Sequence, residues 1–343
     1  MIDFMKIGIT GAAGGIGSAL SDALITDGHE LVLIDNLSYG SIKNFRIKKN
    51  SDELRTIDIL NFPETKDALE NCEVIIHLAA ISSLADCQGN FRFALENNVI
   101  ATNNVAQIAL QSGSKLIFAS TSAIYEGNTE IPFSEKAIPN PHLIYPLTKM
   151  FSENLIHSLS KTNNLEFVSL RFFNVFAPNQ SFSRKNPPLI NYLVREKYLE
   201  RRAKIFANLD TTRDYIYVNE IIDLIKIILS KDIFPRQSVN VSSGKSTSLA
   251  DILSAVSDAF GSDVEFDLGK PELLWENHPD LFVGKFPLNR EFVRKETLKE
   301  SLGNPELAFK IFGWKSNISI RDAIHAEKAN MIENIKNAGI LEV

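Results

Sequence analysis

A glycine-rich turn near the N-terminus constrains the fold more than any other part of this sequence. Residues 7–17 read Ile-Gly-Ile-Thr-Gly-Ala-Ala-Gly-Gly-Ile-Gly, and a helical pattern begins at Ser18. An apolar strand that enters a helix through Gly-x-x-Gly-x-x-Gly suits a dinucleotide, because the glycines let the backbone approach the pyrophosphate and the helix N-terminus supplies free N–H donors. The stretch predicts a dinucleotide site, with an ordinary strand–turn–helix connection as the alternative.

The second strand favours the dinucleotide site. Residues 30–34 form a short apolar run that ends at Asp35. In a βαβ dinucleotide fold, a carboxylate at this place binds the ribose hydroxyl groups of the adenosine. It favours NAD over NADP, because a 2′-phosphate there would meet a like charge. Four basic residues follow that could serve a 2′-phosphate, and we interpret them as a solvated loop: Lys43, Arg46, Lys48 and Lys49.

Length and charge narrow the class of protein. A chain of 343 residues suits one large domain with a smaller lobe. A net charge of −6 provides no general footprint for nucleic acid, and no apolar run is long enough to span a membrane. Cys72 and Cys87 provide neither a disulfide framework nor metal-ligand spacing. We therefore expect a cytoplasmic protein with no metal and with neither nucleic acid nor membrane as a partner. The most basic stretch, 195–204, is interpreted as a solvated helix face.

Strand-like and helical runs alternate after Asp35, which predicts a Rossmann-type doubly wound parallel sheet. Residues 54–59 indicate a third strand, whose last residues would lie beside the adenine. Residues 74–80 indicate a fourth strand that ends in small residues, where a cofactor can pass close. His77 lies inside this apolar run, so we predict a core histidine rather than a catalytic one.

A long helix is predicted over residues 91–111, with an apolar stripe formed by Phe91, Leu95, Val99 and Val105. Asn97 and Asn98 lie in its middle, where asparagine has a poor helix propensity. Such a position indicates a side chain that bonds a neighbouring loop or strand.

Candidate catalytic groups follow the fifth predicted strand, 115–119. Three hydroxyl residues, Ser120, Thr121 and Ser122, end this strand at the carboxyl edge of the sheet, where ligands bind in such folds. A helix that starts at Pro146 would place Tyr145 and Lys149 on one face. A nearby ammonium group stabilises a phenolate, so the pair can form a general base. The alternative is an accidental Tyr-x-x-x-Lys on a surface helix.

Together these motifs resemble the extended short-chain dehydrogenase/reductase family, the NAD-dependent nucleotide-sugar epimerases and dehydratases, from Gly11 to about Trp314. The resemblance implies NAD contacts at Gly11, Ala13, Gly14, Gly15, Ile16, Gly17, Asp35, Asn36, Asp58, Ile59, Leu78, Ala79, Ala80, Asn98, Tyr145 and Lys149. It also implies an NAD domain formed by residues 1–178 together with the later segment 211–243. A smaller substrate lobe would then comprise 179–210 and 244–343.

Two later segments resemble the nucleotide-sugar branch of the family. Residues 171–178 are similar to its Arg-Tyr-Phe-Asn-Val-Tyr-Gly-Pro motif, which implies that Asn174 contacts the sugar or its diphosphate. Residues 212–218 are similar to the segment whose arginine, here Arg213, binds the diphosphate, a task that suits a planar guanidinium. Arg294 has the spacing of the second diphosphate arginine, although the usual Arg-x-Gly-Asp is missing.

The resemblance also implies a reaction. Tyr145 would remove the proton of the sugar 4-hydroxyl group during oxidation at C4, Thr121 would bond the same oxygen, and Lys149 would hold the cofactor ribose and lower the tyrosine pKa. Dehydratases and decarboxylases of the family carry acids directly after the catalytic threonine, and Ser122 and Ala123 stand there instead. This favours 4-epimerisation of a UDP-hexose. UDP-glucuronate epimerisation or decarboxylation, 4,6-dehydration and 4-keto-sugar reduction stay open as alternatives.

Five features bear on the substrate and on assembly. The family position that limits the size of the sugar falls on the small Ser301, which favours UDP-GlcNAc and UDP-GalNAc as substrates. Glu126 replaces the family's glycine, bulkier residues separate Tyr145 from Lys149, and residues 270–287 resemble no family motif. The family's four-helix interface, formed by the helices after Phe91 and Tyr145, implies a homodimer.

Overall fold

Parallel strands form the central sheet of the computed structural model, which describes residues 4–46, 54–182 and 184–339. The described strands are β1 (Lys6–Thr10), β2 (Glu30–Ile34), β3 (Leu54–Arg55), β4 (Val74–His77), β5 (Lys115–Thr121), β6 (Phe167–Phe172), β7 (Asn174–Phe176), β8 (Ala203–Ile205), β9 (Thr212–Arg213), β10 (Tyr215–Tyr217), β11 (Gln237–Val241), β12 (Thr247–Ser248) and β13 (Phe266–Leu268). The main sheet has seven strands in the order β11-β6-β5-β4-β1-β2-β3. The predicted doubly wound fold is confirmed.

Helices cover both faces of this sheet. They are α1 (Gly15–Thr26), α2 (Phe62–Leu69), α3 (Leu84–Gly89), α4 (Phe91–Leu95), α5 (Ala101–Ser112), α6 (Ile144–Asn163), α7 (Leu189–Tyr198), α8 (Val218–Lys231), α9 (Leu249–Phe260), α10 (Arg290–Leu298), α11 (Glu306–Phe312) and α12 (Ile320–Asn337). Successive strand residues point to opposite faces. Ile75 therefore joins the core beneath α2, α5 and α6, and Ile76 joins the larger core beneath α1, α8, α9 and α12.

The third strand is shorter than predicted. It ends at Arg55, because Asp58 forms a turn in which its side chain accepts a hydrogen bond from the Leu60 N–H (2.9 Å) and its carbonyl accepts one from the Asn61 N–H (2.8 Å). The prediction of a strand over residues 54–59 is therefore wrong beyond Arg55.

Two helix predictions also change. The predicted 91–111 helix is present, but Glu96–Ile100 between α4 and α5 form one wider, π-helical turn. Helix α6 begins at Ile144 rather than at Pro146.

The basic stretch 195–204 is not one solvated helix. Helix α7 ends at Tyr198, and β8 pairs with β13. Ala203 and Ile205 are buried on either side of the exposed Lys204, the alternation of a half-buried strand.

His77 lies in the core, as predicted. Its ring bonds the Thr10 hydroxyl group (2.7 Å) and the Thr102 hydroxyl group (2.9 Å). Burial, with a smaller contribution from Lys149, lowers the pKa of His77 to about 3. The histidine is therefore neutral at physiological pH.

The other described strands form three two-stranded sheets outside the main sheet. Strand β7 pairs with β10, β9 with β12, and β8 with β13. Trp275 and Leu281, from the segment 270–287, pack with Ala85, Leu143 and Val293 in a separate apolar cluster. The chain returns to the main sheet at β11, and the exact domain boundaries stay a prediction.

Candidate active site

The glycine turn between β1 and α1 forms one wall of a cavity of about 810 Å³. Gly11 has φ +72°, and a Cβ atom there would lie 2.6 Å from the Ala79 nitrogen. A Cβ atom on Gly17 would lie 2.1 Å from the Gly11 carbonyl oxygen. Only glycine fits both positions. Gly14, the N-cap of α1, and Gly15, its first residue, lie at the cavity wall.

Asp35 stands at the end of β2 and lines the same cavity. Its Oδ2 atom accepts a hydrogen bond from the Ala13 N–H (3.0 Å) and its Oδ1 atom accepts one from the Leu37 N–H (2.8 Å). Burial raises the pKa of this carboxyl group, and the two backbone bonds oppose the shift. The turn and the carboxylate are thereby fixed to each other.

Most of the predicted cofactor residues line this cavity: Gly11, Gly14, Gly15, Ile16, Gly17, Asp35, Asn36, Ile59, Leu78, Ala79, Ala80, Tyr145 and Lys149. Three do not, namely Ala13, Asp58 and Asn98. The Ala13 N–H donates a hydrogen bond to the Asp35 carboxylate. The Asp58 carboxylate accepts one from the Asn36 side-chain amide (3.3 Å).

Asn98 has a structural place beneath the site. Its side chain accepts from the Ile81 N–H (2.8 Å) and donates to the Ile81 carbonyl (3.0 Å) and to the Thr148 hydroxyl group (3.0 Å). It thus joins the loop after β4 to helix α6, which carries Tyr145 and Lys149. The predicted bonding role of a mid-helix asparagine is confirmed, but direct cofactor contact is not supported.

Thr121, Tyr145 and Lys149 line the same cavity as the glycine turn. Thr121 ends β5, while Tyr145 and Lys149 lie one turn apart on α6. The Lys149 ammonium group donates to the Ala119 carbonyl (2.8 Å) and lies 4.7 Å from the centre of the Phe118 ring. Burial lowers the pKa of Lys149 to about 8.

Burial acts against the predicted lowering of the tyrosine pKa. In the chain without a cofactor, burial raises the pKa of Tyr145 to about 12, and the hydrogen bond with the Thr121 hydroxyl group opposes this shift only in part. The Lys149 ammonium group donates to the Ala119 carbonyl. That Lys149 and the charge of bound NAD lower the pKa of Tyr145 stays a prediction for the NAD-loaded site.

Asn174 and Arg213 also line the cavity. The Asn174 amide donates to the Asp214 carbonyl (2.9 Å) and to the Ser301 hydroxyl group (3.2 Å). The Arg213 guanidinium group donates to the Glu296 carbonyl (2.9 Å), and burial lowers its pKa. Both side chains are therefore held in place by the protein itself.

Arg294 is not brought to the cavity. Val293 and Thr297 form the buried face of α10, which turns the exposed Arg294 towards Glu291 (3.4 Å). The structure corrects the proposed second diphosphate arginine.

Other cations line the cavity instead: Arg184, Lys185 and Lys204. Sequence analysis missed them. The period-two alternation around Lys204 is the signal that could have indicated a strand there.

Lys43 and Arg46, the two candidate 2′-phosphate residues that the structure describes, do not line the cavity. Arg46 forms an ion pair with Glu327 (2.8 Å), and Lys43 donates to the Asn337 carbonyl (3.1 Å), so both contact α12. Lys48 and Lys49 lie outside the described residues.

Part of the segment 270–287 also reaches the cavity. Leu274, Glu276 and Asn277 line it. Asn277 donates to the Lys185 carbonyl (2.8 Å), and Glu276 pairs with Lys204. The segment therefore joins several cavity-lining loops.

A second cavity of about 170 Å³, here called the side pocket, opens beside Thr121 and Tyr145. Asn174 and Ser301 also line it, so the predicted size-limiting position shares this pocket with the predicted catalytic groups. Four charged residues complete its wall: Glu126, Glu296, Lys299 and Glu300.

The fold and the site define a class of protein: a dinucleotide-dependent enzyme with a tyrosine–lysine pair and a hydroxyl partner. Within the described ranges, no helix is long and apolar enough to cross a membrane, and no three metal-ligating groups cluster. The sequence model described as the NAD dependent epimerase/dehydratase family matches residues 7–242. The chain belongs to this family, and its cofactor is NAD. The glycine cradle and the Asp35 carboxylate fit that cofactor.

Similar proteins carry 4-epimerase names. A UDP-glucose 4-epimerase of Mycolicibacterium smegmatis is 29% identical over 78% of this chain and 87% of its own length. A solved UDP-N-acetylglucosamine 4-epimerase of Methanobrevibacter ruminantium M1 has a TM-score of 0.82 and 23% identity, covering 98% of this chain and 99% of that one. A solved UDP-glucuronic acid 4-epimerase of Bacillus cereus has a TM-score of 0.78 and 25% identity, covering 97% and 99%.

Proposed function

We propose that this chain is an NAD-dependent 4-epimerase of UDP-sugars that acts through a transient 4-keto sugar. The observation that carries the proposal is that Thr121, Tyr145 and Lys149 line one cavity with the glycine turn and Asp35. When bound, NAD supplies reversible oxidation at C4 and the positive charge of its nicotinamide ring. The similar proteins that are named 4-epimerases support the same class of reaction.

The side chains divide the proton chemistry between them. Tyr145 takes the proton of the 4-hydroxyl group and returns it after the sugar has turned over. A phenol with a pKa of about 12 is almost entirely protonated at neutral pH, so little phenolate is available as a base. Nearby positive charge lowers such a pKa, so the tyrosine becomes an effective base only in the NAD-loaded site. Thr121 bonds the reacting oxygen, and Lys149 holds the cofactor ribose.

Arg213 and Asn174 are proposed to bind the diphosphate and the sugar. A planar guanidinium group pairs well with phosphate oxygens. Arg184, Lys185 and Lys204 line the same cavity and add positive charge for an anionic nucleotide. Arg294 has no part in this proposal, because its side chain lies on the exposed face of α10.

Epimerisation is favoured over elimination or decarboxylation. Ser122 and Ala123 stand where an acid would follow Thr121. Glu126 does line the side pocket, but its Oε2 atom accepts hydrogen bonds from the His142 N–H (2.9 Å) and the Leu143 N–H (3.0 Å). The carboxylate thus holds the loop before α6. The small Ser301 supports UDP-GlcNAc and UDP-GalNAc as substrates.

A homodimer is part of the proposal. Four apolar side chains on the helices of the family interface are partly exposed in the single chain: Phe91 (52%), Leu95 (42%), Ile100 (51%) and Phe151 (43%). A second copy that covers this face would remove them from water. A cytoplasmic location and a role in polysaccharide biosynthesis complete the proposal.

The test is turnover without added cofactor. Purified protein is incubated separately with UDP-GlcNAc, UDP-glucose and UDP-glucuronate, and the anomeric protons are followed by NMR. We expect a galacto-configured product with at least one of them, and no product with Tyr145→Phe. A protein that retains NAD but converts none of the three would contradict the proposal.

A further inference from the structure

The charged wall of the side pocket distinguishes between substituents on the reacting sugar. We infer that the side pocket selects a sugar whose substituent carries an N–H donor, an acylamino or amino group, and rejects a carboxylate. Glu126 is the specificity-determining residue. This inference rests on the proposed function, because it concerns the ring that Thr121 and Tyr145 act on.

The position of the side pocket assigns it to the sugar rather than to the nucleotide. Its wall includes Thr121 and Tyr145, which must touch the reacting hydroxyl group, and the buried Ser301. Its volume of about 170 Å³ is several times the roughly 30 Å³ that one water molecule occupies in the liquid. A substituent of several non-hydrogen atoms on the reacting ring therefore has room there.

The charges on the wall are unbalanced. Lys299 is the cation and forms an ion pair with Glu296 (2.5 Å). Lys299 also attracts Glu126, but the three glutamates outnumber the single lysine, so the wall keeps a net negative charge. Glu300 is exposed and screened by water, whereas Glu126 is half-buried. A carboxylate brought into the pocket would lie near an incompletely screened like charge, which disfavours binding.

Glu126 also offers a free acceptor. Both backbone bonds from His142 and Leu143 reach its Oε2 atom. Within the described part of the chain, Oε1 accepts no hydrogen bond, so it can accept one from a substituent. An N–H donor satisfies it, and a carboxylate cannot.

Ser301, on the wall of the same pocket, suits an acyl oxygen. The Ser301 oxygen accepts from the Asn174 amide, which leaves the hydroxyl proton of Ser301 for an acceptor. An acylamino group, with one donor and one acceptor, therefore matches the Glu126 carboxylate and the Ser301 hydroxyl group.

The experiment compares two sugars in two variants of the NAD-loaded full-length chain. Glu126→Gln removes the charge but keeps a carbonyl oxygen for the His142 and Leu143 bonds. The values of kcat/KM are measured with UDP-GlcNAc and UDP-glucuronate, and the dissociation constants by calorimetry. We expect wild type to prefer UDP-GlcNAc, and Glu126→Gln to reduce this preference by about tenfold, the effect of roughly 1.4 kcal/mol.

The matched control is Glu130→Gln, which makes the same charge change on the same loop at an exposed residue outside the side pocket. It should leave the preference unchanged. A wild-type preference for UDP-glucuronate, or the same ratio in Glu126→Gln, would overturn the inference while 4-epimerisation stands. If the protein converts neither sugar, the proposed function is wrong. The ratio of the two dissociation constants from calorimetry then still tests the inference.

Discussion

Arg171 on β6 and Glu153 on α6 form a buried, bidentate ion pair. The Arg171 Nε–H donates to Oε1 of Glu153 (3.0 Å) and the Nη2–H donates to Oε2 (2.7 Å). A third donor, Nη1–H, reaches the Tyr125 hydroxyl group (2.6 Å). Glu153 lies one turn beyond Lys149 on α6, and Tyr125 ends the turn that starts at Thr121. The pair therefore fixes the elements that carry the three catalytic groups relative to one another.

Glu153→Gln should destabilise the protein strongly. The change leaves a buried guanidinium group without its counter-charge, which costs about 3–5 kcal/mol in the free energy of unfolding. Urea unfolding of the two proteins measures the difference. Glu30→Gln, which breaks the exposed Lys6–Glu30 pair (2.6 Å), is the control and should cost no more than about 1 kcal/mol. Equal effects of the two changes would contradict this account.

The free energy of unfolding should fall as the pH drops, because protonation of His77 favours the unfolded chain. The folded pKa of about 3 lies below the ordinary value of 6.5. Because the unfolded chain binds the proton first, the contribution of His77 is complete above pH 6.5 and is lost as the pH falls towards 3. The loss amounts to at most about 5 kcal/mol. Urea unfolding at pH 7 and at pH 4.5 measures it, and His77→Gln should show a shallower pH dependence than wild type. Parallel curves would show that another group carries the effect.

Gly17→Ala should abolish NAD retention. The new methyl group would lie 2.1 Å from the Gly11 carbonyl oxygen, so the turn must open and its N–H groups must move. The bound nucleotide is released by heating and measured from its absorbance. Gly89→Ala is the control, since its nearest neighbour would be Leu281 at an ordinary 3.5 Å. NAD retained at wild-type levels in Gly17→Ala would contradict the placement of the pyrophosphate at this turn.

Leu95→Glu should dissociate the proposed homodimer. It introduces a charge into the apolar face formed by α4, α5 and α6, and burying an unpaired charge costs several kcal/mol. Light scattering after size exclusion measures the mass. Phe309→Glu, at an exposed phenylalanine of α11, should leave the mass unchanged. A wild-type monomer, or a Leu95→Glu dimer, would contradict the interface.

The cofactor half of the site was predictable because local sequence determines it. Gly17 is required by a contact within its own turn and Gly11 by its positive φ. Asp35 ends its own strand, and Tyr145 and Lys149 are one helical turn apart. Each relation extends over a few residues. The doubly wound sheet follows from the same alternation of strands and helices.

The substrate half was less predictable because it is assembled from distant segments. Lys204 reaches the cavity from a strand that was interpreted as helix, and Lys299 reaches the side pocket from beyond α10. Arg294 had a suitable spacing, but the buried face of α10 turns it outward. The pKa of Tyr145 depends on burial, which no spacing reveals.

The most direct test of the central claim uses a UDP-sugar that carries deuterium at C4. NAD-loaded protein is incubated with UDP-[4-²H]GlcNAc without added cofactor, and the C4 position of the product is examined by NMR and mass spectrometry. The account predicts UDP-GalNAc that retains the deuterium at C4, and no conversion by Tyr145→Phe. Loss of the deuterium to solvent, or a dehydrated product, would contradict 4-epimerisation at this site.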